Sequence, residues 1–298
     1  MIITNMKKTI VGIGELLWDV LPEGMELGGA PANFVYHTSQ FGFNSYVISA
    51  IGKDSLGESL HKKIREKGLN EYIETVPFDT GTVQIELDEK GIPYYHIKEN
   101  VAWDNIQFSS KLKELAKNTS VVFFGSLAQR NIISRETINH FLDTMPNDKN
   151  TYKIFDVNLR QSFYTKEILN QSMEKCNVLK INDEELIAIC KLFGYSDIDL
   201  ENECWNIINK YNLKILILTC GSKGSYVFTS DHHYSYIKTP KVNVIDTVGA
   251  GDSFTATFIS ALLQGKNTVE AHQLAVKVSA YVCTQKGAMI QLPKEIIG

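Results

Sequence analysis

The 298-residue chain has only five cysteines, Cys176, Cys190, Cys204, Cys220 and Cys283, and no two of them form a C-x-x-C pair. An odd and scattered set indicates neither a disulfide framework nor a zinc site, and it fits a reducing, cytoplasmic setting. Basic clusters interleaved with aromatic residues are also missing. Acids outnumber bases, 34 to 30, so neither nucleic acid nor an anionic membrane is an expected partner. No apolar stretch approaches the length of a membrane span, and the N-terminal apolar run is interrupted by Glu15 and Asp19 with no small-residue cleavage site. Both familiar nucleotide loops are absent as simple matches: there is no G-x-x-x-x-G-K-[ST], and the glycine pair at Gly12 and Gly14 lacks the third glycine of the dinucleotide fingerprint. Linkers, low-complexity segments and internal repeats are missing too, so one domain over 1–298 is expected.

What is present is an alternation of short β-branched or aromatic runs with longer helical patterns, the signature of an α/β fold built on a mostly parallel sheet. Strands are expected at Thr9–Gly14, Tyr46–Gly52, Ser120–Gly125, Tyr152–Val157, Asn177–Ile181 and Lys214–Thr219. Several are apolar on both faces, as strands covered by helices on each side should be. A helix should follow Asp54 as N-cap and stop at Gly68. Two segments break the alternation. Val83–Ile97 alternates about the turn Asp88–Gly91 and reads as an antiparallel hairpin, and Leu16–Pro22 is strand-like with no helix before it. Together they form a small β flap, about 16–27 and 80–101, suited either to a lid or to a homodimer edge.

The stretch VIDTVGAGDSFTATF, Val244–Phe258, carries the sharpest chemical signal. Gly249, Ala250 and Gly251 lie at the start of a helix whose apolar face holds Phe254, Phe258, Ala261 and Leu262. Bare amides there, aligned with the helix dipole, make an anion hole for a phosphoryl group. Asp252 has two readings at this point: an ordinary helix cap, or a general base beside the anion hole.

This stretch resembles the C-terminal signature of the ribokinase-like sugar kinases, the phosphofructokinase-B family. Gly28–Gly42, GGAPANFVYHTSQFG, resembles that family's N-terminal signature, and INDEEL resembles its N-x-x-E motif at Asn182 and Glu185. The resemblance implies a three-layer α/β/α fold with a small β-sheet lid, with the active site at the carboxyl ends of the strands. It implies ATP-dependent phosphorylation of a sugar, with Asp252 as base and Gly249, Ala250 and Gly251 lining the anion hole. Asp19, Gly28, Gly29 and Asn33 match positions that grip the sugar. Solvation of Asp19 and a helix-start hydrogen bond for Asn33 are the plain alternatives.

On the same resemblance, Asn182 and Glu185 organise Mg²⁺ and phosphate largely through water, a role compatible with a capping box. Thr219, Gly221 and Gly224 resemble the nucleotide loop, although a tight turn would read the same. Ala275 and Ser279 precede VCTQKGAM, Val282–Met289, which resembles the segment closing the adenine pocket. Many relatives bind a monovalent cation such as K⁺ there, which would involve Asp246, Val248, Val282 and Gln285. Gln285 replaces a frequent basic residue, and Asp246 could instead brace the loop.

Arg160, in DVNLR, matches a position that contacts sugar or phosphate, with a surface salt bridge as its alternative. Lys180 shares a strand face with Asn182 and is a phosphate candidate on geometry alone. The segments GELLWDVLP, GGAPAN, NVAWDN and DVNLR look most like bacterial fructokinases. D-fructose is therefore the expected acceptor, with 2-keto-3-deoxygluconate, ribose or a nucleoside as alternatives within the family and a catalytically idle sugar or nucleotide sensor outside it.

Overall fold

The computed structural model describes residues 7–87, 93–195 and 199–297. They are organised as two compact units. The first takes the described residues up to Val122 together with Ala128–Thr151; the second takes Phe123–Leu127 and the described residues from Tyr152 onward.

In chain order the first unit contains β1 (Thr9–Ile13), β2 (Leu17–Leu21), β3 (Gly24–Gly28), α1 (Ala30–Gln40), β4 (Asn44–Gly52), α2 (Ser55–Glu66), β5 (Asn70–Val76), β6 (Gly81–Leu87), β7 (Pro93–Ile97) and α3 (Ser110–Lys117). The beginning of β8 (Thr119–Gly125) and α4 (Ile132–Thr144) complete it. Strands β1, β4 and β5 pair in parallel. A separate four-stranded sheet has the order β3-β2-β6-β7. In it the expected hairpin is the antiparallel pair β6/β7, and β2 lies parallel to β6. The turn expected at 88–91 falls outside the described residues.

β5 lies outside the expected strands, and β3 falls within the flap expected at 16–27 without having been read as a separate strand. β5 reads NEYIETV and is mostly half-buried, so its polar residues hide a strand that, among the described residues, pairs on one side alone. β3 begins on two exposed residues and has no apolar run. The cap of α2 is as expected: Asp54 accepts from the Gly57 N–H at 2.7 Å.

The second unit contains β9 (Tyr152–Asp156), α5 (Lys166–Lys175), β10 (Val178–Asn182), α6 (Asp183–Phe193), α7 (Leu200–Tyr211), β11 (Ile215–Thr219), β12 (Ser225–Thr229), β13 (Tyr234–Ile237), α8 (Ala250–Leu263) and α9 (Thr268–Val282). β9, β10 and β11 are parallel, and β12 and β13 turn back antiparallel. Parallel strands need both faces covered, and β10 and β11 accordingly read as near-continuous buried runs. Among the described residues no helix is long and apolar enough to cross a membrane.

Candidate active site

The glycine-rich stretch opens α8 as the sequence indicates. Gly249 is the N-cap residue, in the left-handed region at φ 75°, and no side chain caps the helix. Glycine is required here twice over: the φ value disfavours any side chain, and a Cβ would meet the Ala288 Cβ at 2.6 Å. Asp252 is therefore not the cap. It is the third residue inside the helix, where a carboxylate gains from the helix dipole. Of the three amides assigned to the anion hole, that of Ala250 already donates to the Thr247 carbonyl at 3.2 Å. Those of Gly249 and Gly251 have no acceptor among the described residues.

Lys180 completes this corner. A Cβ on Gly251 would lie only 3.1 Å from the Lys180 Nζ, so the ammonium sits against the first turn of α8. The same ammonium is 3.0 Å from Oδ1 of Asp156, and both side chains are buried. The two are register partners on β9 and β10. Burial pushes the Asp156 carboxyl above its usual range, with the charges of Glu185 and Asp252 adding to the effect and Lys180 opposing it. Burial works against the charge of Lys180 as well. There Asp156, Glu185 and Asp252 outweigh it and hold the ammonium above its ordinary value. One cation thus faces three acids, a local excess of negative charge suited to a divalent cation. No cluster of three metal-ligating side chains occurs among the described residues, so an ion here would keep much of its water.

Asn182 and Glu185 form the capping box that their spacing suggests. The Asn182 side chain accepts from the Glu185 N–H at 2.8 Å, and Glu185 Oε2 accepts from the Asn182 N–H at 2.9 Å. The other carboxylate oxygen accepts from the Leu159 N–H at 3.1 Å and so fixes the loop after β9. Arg160 in that loop is exposed, and its guanidinium donates to the Leu159 carbonyl at 3.2 Å. No carboxylate lies within ion-pair reach of it among the described residues.

Thr219 ends β11 in register with Asn182, which places the two strand ends side by side. Gly221 and Gly224 bracket a 3₁₀ turn closed by the Cys220 N–H donating to the Gly224 carbonyl at 2.8 Å. Ser279 donates from its hydroxyl to the Ala250 carbonyl at 3.0 Å, tying α9 to the first turn of α8, and Ala275 is fully buried. Asp246 braces its loop: its two oxygens accept from the Val248 N–H at 3.0 Å and the Gly287 N–H at 2.9 Å. Val248 is exposed, Val282 is buried, and the Gln285 amide donates to the Thr284 hydroxyl at 3.0 Å.

In the first unit, Asp19 sits on β2 with its carboxylate against Gly28, where any Cβ would collide with it. Gly29 caps α1 at φ 118° with no side-chain cap, and a Cβ there would run into the Glu15 carbonyl. Asn33 follows one turn later and is 4% exposed. Its main-chain N–H bonds to the Gly29 carbonyl at 3.1 Å, and the cap position itself is held by Gly29 with no side-chain cap bond. The sequence reading did not single out Asp156. Its only signal was an acid at the end of an apolar strand, in YKIFD.

Residues 22–295 match the profile of the pfkB family carbohydrate kinases. The chain is 26% identical to an "ATP-dependent 6-phosphofructokinase" of Thermoanaerobacterium thermosaccharolyticum, covering 97% of this chain and 92% of that protein. It is 27% identical to "Probable fructokinase-3" of Arabidopsis thaliana, covering 98% and 91%. Among solved structures, the fructokinase of Xylella fastidiosa with bound ATP superposes with a TM-score of 0.82 at 20% identity, over 95% of this chain and 94% of that one. An apo structure titled a putative Ribokinase II from E. coli gives 0.78 at 19% identity, over 95% and 94%. At such identities these structures speak for the fold, a ribokinase-like α/β architecture with a mostly parallel sheet and a smaller separate one. With the profile match running across nearly all of the chain, the protein belongs to the pfkB family of carbohydrate kinases, enzymes that transfer a phosphoryl group to a sugar.

Proposed function

We propose that this enzyme transfers the γ-phosphoryl group of ATP to a hydroxyl of a free sugar, and that the sugar is D-fructose, giving fructose 6-phosphate. The observation that carries the reading is the start of α8. Gly249 and Gly251 amides, the Lys180 ammonium and the Asp252 carboxylate meet within one helical turn. Asp252 takes the proton from the attacking hydroxyl. The two glycine amides and Lys180 receive the charge that develops on the transferred group. Asn182 and Glu185 would hold Mg²⁺ through water, and that ion would neutralise phosphate charge when bound. A monovalent cation beside the Asp246 loop belongs to the same reading.

Thr219, Gly221, Gly224, Ala275 and Ser279 contact the nucleotide, and Arg160 is available to an anionic group. In the first unit, Asp19, Gly28, Gly29 and Asn33 hold the sugar hydroxyls, because fixed donors and acceptors select one stereochemistry. The β3-β2-β6-β7 sheet serves as the lid that excludes water.

Fructose rests on the likeness to proteins named fructokinase. The relative named 6-phosphofructokinase supports a second acceptor, fructose 6-phosphate. The test is a coupled ADP-release assay over fructose, fructose 6-phosphate, ribose, 2-keto-3-deoxygluconate and nucleosides. Highest kcat/KM with fructose is the expected result. Preference for another acceptor replaces fructose, and no stimulation by any of them replaces catalysis with sensing.

A further inference from the structure

We propose that Asp54 is a positioning residue for the sugar-binding sheet, acting through Thr80 to fix strand β6 and, beside it, the strand that carries Asp19. The proposal rests on the reading of Asp19 as a sugar ligand. Its basis is that Asp54 does more than cap a helix. Oδ1 accepts from the Gly57 N–H at 2.7 Å, the ordinary cap bond, and from the Thr80 hydroxyl at 2.7 Å. Oδ2 accepts from the Thr80 N–H at 2.8 Å. The Thr80 hydroxyl in turn accepts from the Gly52 N–H at 3.0 Å, at the end of β4. Thr80 is 1% exposed and immediately precedes β6. By contrast the cap side chains Ser109, Thr165 and Asn267 accept from within their own helices.

A second pin joins the same helix start to the neighbouring strand. Trp18, on β2 next to Asp19, donates from its indole N–H to the Leu56 carbonyl at 3.0 Å. β2 and β6 are in register, Leu17 with Gly81 and Asp19 with Val83. The first turn of α2 therefore holds both strands, β2 at the residue next to Asp19 and β6 three residues before its register partner Val83. Two glycines make this proximity feasible. A Cβ on Gly52 would come within 2.6 Å of the Thr80 nitrogen, and one on Gly57 within 2.8 Å of the Thr80 hydroxyl. Burial works against the charge on Asp54, yet the Thr80 and Gly57 donors outweigh it and hold the carboxyl below its usual range.

Asp54→Asn separates the two roles. Asparagine caps a helix as well as aspartate does, but its amide nitrogen cannot accept from the Thr80 N–H. Thr80→Val removes the hydroxyl while leaving the shape, and Thr80→Ser restores the hydroxyl. The expected result for Asp54→Asn and Thr80→Val is a rise of about fivefold or more in the sugar KM, with the ATP KM changed by less than about twofold and Thr80→Ser close to the parent. A sugar KM within about twofold of the parent in both variants, even with a lower Tm, would reduce Asp54 to a helix cap.

Amide hydrogen exchange without substrate keeps this test separate from the identity of the sugar. Faster exchange at 17–21 and 81–84 in Asp54→Asn, with 9–13 unchanged, supports the strap even if the parent phosphorylates none of the sugars tried. Unchanged exchange in the two strands overturns it.

Discussion

Among the described residues, the starts of helices α1 to α9 fall into two kinds. Helices α2, α3, α4, α5, α6, α7 and α9 begin on Asp, Ser, Asn or Thr, whose side chain accepts an N–H of the first turn. Helices α1 and α8 begin on glycine with no side-chain cap. A side-chain cap satisfies the helix from within, whereas a bare glycine leaves the first turn to be completed by something else. The two bare starts also differ from one another. In α1, Pro31 supplies no N–H and the Ala32 and Asn33 amides both turn to the Gly29 carbonyl, so the positive end is poor in donors. In α8, the Gly249 and Gly251 amides remain and an ammonium lies beside them. The first start offers little to an anion, whereas the second has the donors and the charge that the proposed phosphoryl site requires.

Replacing the proposed base, Asp252, breaks this comparison most severely. Asp252→Asn should lower kcat by about 10³-fold while costing less than about 1 kcal/mol of stability, because the residue is inside the helix rather than capping it. Steady-state kinetics beside a melting curve decides it, and activity within about tenfold of the parent would remove Asp252 from the mechanism. Next in size is Gly249→Ala, which forces a side chain into φ 75° and against Ala288. A loss of about 10²-fold in kcat, with about 1–3 kcal/mol of destabilisation, is expected. Stability loss without a kinetic loss would make the glycine merely conformational.

Much of this was legible locally. The glycine start of α8, the capping box at Asn182 and Glu185, and the strands β1, β2, β4, β8, β9, β10 and β11 with the β6/β7 hairpin follow from patterns a few residues long. Whether Asp252 caps the helix was not, because that depends on which glycine takes the positive φ. The Lys180–Asp156 pair was half legible. The strand face of Lys180 could be read, but its partner is set by the register of β9 against β10, which no single strand reveals. The strap from Asp54 to Thr80 spans 26 residues and two elements, and the sequence around Asp54 shows only its cap.

A buried histidine offers a smaller test of the second unit. His272 is fully buried on α9 and lies between the hydroxyls of Ser225 at 2.8 Å and Ser235 at 2.9 Å, which ties the helix to β12 and β13. Burial lowers its pKa from 6.5 to about 4. The unfolded chain then binds the proton more readily, so stability is full above about pH 6.5 and is lost as pH falls toward 4. The loss should be about 1–3 kcal/mol by denaturant titration, and His272→Gln should flatten that part of the profile. An unchanged slope in the variant would assign the acid loss to the carboxylates.

The smallest effect gives the cleanest control, because the chain contains the same cap twice. Asn267 and Glu270 repeat the Asn-x-x-Glu box of Asn182 and Glu185, with reciprocal bonds of 3.0 Å in each direction. The chemistry of the two boxes is alike and their surroundings are not. Glu270 is exposed, whereas Glu185 is buried, holds the Leu159 amide and acts on Lys180 and Asp156. Asn267→Ala should therefore cost about 1 kcal/mol and leave kcat and both KM values unchanged. Asn182→Ala should cost a similar amount of stability and in addition raise the Mg²⁺ concentration needed for half-maximal rate. If the two variants behave alike in kinetics, the buried box is only a cap, and the case for a metal-organising role at Glu185 falls with it.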